Sequence, residues 1–149
     1  MRRSQGFSLL EILVVLLIVG LFSALSVAWL DAGPGSLQRA LDQLAAEARA
    51  HADQARHSGQ VSGLRWNGRH PEFVRLRTGG AAARWELEAP GIGDWPEALK
   101  ADWPASSEPK LVFTPSGVAS PAILDWRWAE GGERWQWLSD SRLSRAQLR

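Results

Sequence analysis

Apolar and polar positions divide the chain into three stretches with different periods. From Phe7 to Leu30 the run FSLLEILVVLLIVGLFSALSVAWL has none: its 24 positions carry a single charge, Glu11, and apolar side chains fall on every side of a helix drawn through them. At about 1.5 Å per residue such a helix is roughly 36 Å long, enough to cross the apolar core of a bilayer. From Ser36 the period becomes helical: in SLQRALDQLAAEARAHADQARHSG, Leu37, Leu41, Leu44, Ala48 and Ala55 recur at steps of three, four and seven, which lines one side of an α-helix. Ser36 is the expected cap, Gly59 the expected stop, and Pro34 between two glycines is expected to kink or interrupt the chain between the two helical stretches. The small alanines predict close packing on a sheet, with Arg39, Asp42, Arg49 and Asp53, flanked by Glu47, as the solvated side.

Beyond Gly59 short alternating runs separated by glycine and proline predict antiparallel strands. Pairing EFVRLR with RWELE sets Arg77 opposite Glu86, Arg75 opposite Glu88 and Leu76 opposite Leu87. Residues 89–109, with DWP at Asp94–Pro96 and again at Asp102–Pro104, are too rich in proline and glycine for a central strand. They read either as a functional excursion or as a surface loop pinned by Trp95 and Trp103, with one helical turn between. KLVFTPSG is a strand ending in a type I turn at Pro115. In ILDWRWAEGGERWQWLSD a two-residue turn at Gly131 and Gly132 sets Trp128 against Trp135 and Trp126 against Trp137. Four indoles then share one face. They are either a stacking platform or a core wall, and the small residues of the preceding helix, which need large partners, favour the core. The final SDSRLSRAQLR reads as a frayed tail or a short helix, its Arg142, Arg145 and Arg149 unmatched by acids after Asp140.

Composition removes several function classes. There is no cysteine among 149 residues, hence no disulfide, thiolate metal site or cysteine nucleophile. His51, His57 and His70 have no serine or carboxylate arrangement around them; Glu47 and His51 supply two metal donors without a third, and no phosphate loop occurs. No catalytic residue, metal or cofactor is expected. The formal charge is +1; removing Arg2 and Arg3 from 17 basic residues leaves 15 against 16 acids, a net −1, which gives nucleic acid no general attraction. Those two arginines ahead of the apolar run keep the N-terminus cytoplasmic and send the rest across.

Glu11 is the residue that a plain membrane anchor does not need. A carboxylate at membrane depth costs about 2.5–3.5 kcal/mol on insertion scales, and it argues against a cleaved secretory signal, whose apolar region is also shorter. A basic leader, Gly6, Phe7, Glu11 and the long apolar run together resemble the prepilin-type leader of type IV pilins and type II secretion pseudopilins. FTPSG followed by a further strand is similar to the C-terminal part of GspH-type minor pseudopilins and their FimT-like relatives.

The resemblance implies cleavage by a prepilin peptidase after Gly6, methylation of Phe7 and an assembly role for Glu11, whose carboxylate would pair with the amine of a neighbouring subunit. It implies an α+β fold, a long N-terminal helix packed on an antiparallel sheet or sandwich head. The expected division is leader 1–6, membrane or filament-core helix 7–30, soluble helix 31–58 and head 59–149. The expected function is that of a minor pseudopilin near the tip of the type II secretion pseudopilus, helping folded proteins leave the cell. It would sit in the bacterial inner membrane before assembly, with its head in the periplasm and the major and other minor pseudopilins as partners. The competing readings are a minor pilin of a type IV or DNA-uptake pilus, binding DNA through Arg142, Arg145 and Arg149 beside the tryptophan hairpin, and a tethered periplasmic binding module outside any filament.

Overall fold

A computed structural model of the chain describes residues 9–31, 34–88 and 92–149, with the backbone alone over 24–31 and at position 34. Helix α1 runs Leu9–Asp31 and helix α2 Pro34–Ser58. The second helix starts two residues before the expected Ser36 cap, because proline suits a first helical position, where its missing N–H is not needed. It stops as its sequence demands: Gly59 takes φ of +68°, which a Cβ would resist.

The chain divides into two compact units, Met1–Ser36 and Leu37–Arg149. In the first, every described side chain from Leu9 to Ser23 is exposed. The second holds α2 from Leu37 onward and eight strands: β1 Ser62–Trp66, β2 Pro71–Arg77, β3 Arg84–Leu87, β4 Lys100–Ala101, β5 Leu111–Phe113, β6 Ala122–Trp128, β7 Gly131–Trp137 and β8 Leu143–Leu148. They form two four-stranded sheets, β3-β2-β1-β5 and β4-β6-β7-β8, with every pair antiparallel. Leu37, Leu41, Leu44, Ala48, Ala52 and Ala55 join Leu64, Trp66 and Phe73 of one sheet and Trp126, Trp135 and Trp137 of the other in a single buried cluster. A stripe of small helix residues thus meets a wall of large strand residues, filling the volume between the layers.

Both expected hairpin registers are corrected. In β2–β3 the partners are Arg75 with Glu86 and Leu76 with Trp85, two residues from the expected alignment. The anticipated ion pairs form nonetheless, diagonally: Arg77 Nε lies 3.1 Å from Glu86, and Arg75 pairs with Glu88. Long side chains reach diagonal neighbours across an antiparallel pair, so charge alone does not define register. In β6–β7 the turn falls on Ala129 and Glu130, and Trp126 faces Glu133 while Leu124 faces Trp135. Gly132 is needed inside the strand, since a Cβ there would sit 2.6 Å from the carbonyl oxygen of Trp126. The displacement is four residues, an even number, so all four indoles keep the face expected of them.

The C-terminal stretch is neither frayed nor helical. Ser141, at φ of 62°, turns the chain back, and β8 pairs with β7 from Leu143 opposite Trp137 to Leu148 opposite Gly132. The described part of the proline-rich excursion is pinned: Trp95 and Trp103 pack on Trp126 at centroid distances of 5.4 and 4.9 Å, and Lys100–Ala101 adds a short edge strand to β6.

Candidate functional site

Glu11 lies in the first turn of α1 and is exposed. It makes no ion pair with any described residue, while Gly6 and Phe7 lie outside the described residues. The apolar run expected to span a membrane, 7–30, extends past the described side chains at both ends, and among the described residues no helix is long and apolar enough to cross a membrane.

Trp126, Trp135 and Trp137 are buried and Trp128 is partly so. Trp126 is the hub: Trp66, Trp95, Trp103 and Trp135 all stand within 6.2 Å of it, mostly edge to face, the arrangement that the ring quadrupoles favour. Its Nε1 and that of Trp137 have no hydrogen-bond partner among the described residues. With their faces in the core, these three indoles offer no platform to a ligand.

The arginines expected to be unmatched are largely engaged. Arg142 Nε lies 2.6 Å from Asp140, and that hydrogen bond holds the Asp140 carboxyl below its usual range. Arg145 reaches two acids at once, Glu133 at 2.5 Å through Nε and Asp42 of α2 at 2.6 Å through Nη1. Burial opposes the charge of Arg145, but these two hydrogen bonds outweigh it and its pKa is raised; the same contact lowers that of Asp42. Glu133, 1% exposed, also accepts from Trp135 Nε1 at 2.5 Å and Gln147 Nε2 at 3.0 Å. This network ties β7, β8 and α2 together. Sequence reasoning missed it although a signal was present: in ERWQW, Glu133 shares the parity of Trp135 and Trp137, and an acid on an apolar face requires donors. Arg149 is exposed.

His51 stacks on Phe73 with ring centroids 4.0 Å apart, and its Nδ1 stands 3.4 Å from Glu88. Neither atom of that contact has a hydrogen-bond partner among the described residues, and Glu88 is already taken by Arg75. Burial lowers the imidazole pKa more than Glu88 and Glu47 raise it, so the ring is a neutral packing group rather than half of an ion pair. Among the described residues no three histidines or acids gather as metal donors.

At the far end of the β2–β3 hairpin, Arg77, Arg84, Glu86 and turn residues 79–82 line an open depression of about 600 Å³. Arg77 and Arg84 both direct Nε to the one carboxylate of Glu86, at 3.1 and 3.0 Å, so this acid already answers both guanidinium groups.

Residues 1–27 match the model of the prokaryotic N-terminal methylation motif. No curated protein matches the sequence. Among solved structures, the minor pseudopilin EpsH from the type 2 secretion system of Vibrio cholerae is similar, with a TM-score of 0.57 at 17% identity over 74% of this chain and 96% of that one. The fold is pilin-like. In a pilin-like chain the buried tryptophans and the Glu133 network maintain the head, while the methylation motif marks the N-terminal segment as its membrane anchor.

Proposed function

We propose that this protein is a minor pseudopilin, a structural subunit of a type II secretion pseudopilus and not an enzyme. The reading is carried by one coincidence: an N-terminal methylation motif over residues 1–27 leads into a pilin-like head similar to that of EpsH. On this reading residues 7–30 span the inner membrane with Arg2 and Arg3 on the cytoplasmic side and the head in the periplasm. A prepilin peptidase cuts after Gly6 and Phe7 is methylated. The carboxylate of Glu11 then meets the new ammonium group of a neighbouring subunit, the major pseudopilin or another minor one, which offsets the desolvation of both charges and disfavours any register that leaves Glu11 alone.

Intact mass after co-expression with a prepilin peptidase tests the reading: the expected product begins at Phe7 with one added methyl group, and Gly6→Val leaves the leader attached. Glu11→Ala is expected to be cleaved normally and to incorporate poorly into filaments. An unprocessed chain in cells that hold the peptidase overturns the proposal. The DNA-binding pilin is not the better reading, because Arg142 and Arg145 are committed to ion pairs within the head.

A further inference from the structure

Strand β3 is an outer strand of its sheet, and its backbone alternation identifies which groups lack a partner. The N–H of Glu88 donates to the carbonyl of Phe73 at 2.9 Å, so in this antiparallel ladder Arg84, Glu86 and Glu88 turn their backbone groups toward β2. Ala83, Trp85 and Leu87 turn theirs outward, to an edge that no described strand covers. Leu87 is 58% exposed, and Ala83 and Arg84 are exposed too. An edge of this kind is a template for another strand.

The sequence of β3 selects the strand. A second copy laid antiparallel against it can form ladder bonds only between outward-facing residues. One such register sets Trp85 opposite Trp85 of the other copy and Ala83 opposite Leu87. Arg84 of each copy then faces Glu86 of the other, so the pairing exchanges the Arg84–Glu86 contact within each chain for two ion pairs across the seam. The adjacent register allowed by the backbone, with Trp85 opposite Leu87, brings the two Glu86 carboxylates face to face and is repelled.

The other outer strands lack this complementarity. β4 and β5 have two and three residues, and β8 carries Arg145 and no acid. The geometry points to self-association of this chain through β3, which joins the four-stranded sheets of two copies edge to edge in the register that crosses Arg84 with Glu86. The inference does not depend on the secretion reading.

The full chain in detergent provides the test. It has no native cysteine, so Ala83→Cys and Leu87→Cys report the register. A mixture of the two variants is expected to give disulfide-linked dimers under mild oxidation, since directly opposed hydrogen-bonded residues lie about 5.5 Å apart between Cα atoms, within disulfide range. Each variant alone is expected to give little, its two cysteines lying four positions apart along the paired strands. Charge supplies an independent arm. Arg84→Glu and Glu86→Arg each make their own pairing repulsive and are expected to weaken self-association roughly tenfold, while mixing the two variants restores it as a heterodimer, which a folding defect would not allow. A mixture that cross-links no better than its components, or charge variants that associate like the parent chain through α1, overturns the proposal.

Discussion

Trp126 has four indoles around it and an N–H that meets no acceptor among the described residues. Truncation to alanine opens a hole that the rigid neighbours cannot fill, and Trp126→Ala is expected to cost about 3–5 kcal/mol in urea denaturation. Trp126→Phe removes the orphan donor and keeps a ring in place, so its cost is expected to be clearly smaller. His51 makes a pH-dependent prediction. Its folded pKa lies below the ordinary 6.5 because burial disfavours the charged ring; the unfolded chain therefore binds more protons between the two values. Its contribution is intact above pH 6.5 and is lost as the pH falls toward the folded value. The melting temperature is expected to fall between about pH 7.5 and about pH 5.5, above the range where Asp42, its pKa lowered by Arg145, gains a proton, and His51→Phe should flatten that slope. Single residues of this kind were hard to foresee. His51 sits on an amphipathic helix, and only the approach of Phe73 from β2 and of Glu88 from the end of β3 shows that it is covered.

Among the elements, β8 is the one whose attachment depends most on charge. Arg145 spans from Glu133 to Asp42, and its loss would leave a buried carboxylate with two donors instead of three. Arg145→Ala is expected to destabilise the head by about 2–3 kcal/mol and to speed hydrogen exchange in β8 before the other strands. Arg145→Lys should recover little, because a point charge cannot bond both acids as the guanidinium fork does. Periodicity identified α2 and the strands β2, β3, β6 and β7 before the structure did, and with them the four-indole face. It failed where two local signals competed. A pair of glycines marks a turn by propensity, yet Gly132 is required where Trp126 crowds the strand. Charge complementarity in β2–β3 fitted two registers equally well, one directly and one diagonally. The polar SRLSRAQLR reads as a tail because its strand borrows apolar surface from β7 and charge from α2, the latter about a hundred residues away.

For the molecule as a whole, the boundary at Leu37 makes a prediction of its own. Residues 37–149 hold the entire buried cluster and are expected to unfold in one cooperative step without the first unit, measured by near-ultraviolet circular dichroism. Residues 59–149 lack the α2 residues that cover the tryptophan wall and are expected to bind a hydrophobic dye instead of folding. The order of helix and then antiparallel strands was legible from the periods along the chain, and the pilin-like architecture from the family resemblance carried by Gly6, Phe7 and Glu11. The chain exposes leucine, valine and isoleucine all around the described part of α1 and folds none of them against itself. Such a rod has no resting place in water, so on the proposed pseudopilin reading withdrawal from lipid and reception by adjoining subunits are one event, each increment of hydrocarbon given up being re-covered before solvent can wet it.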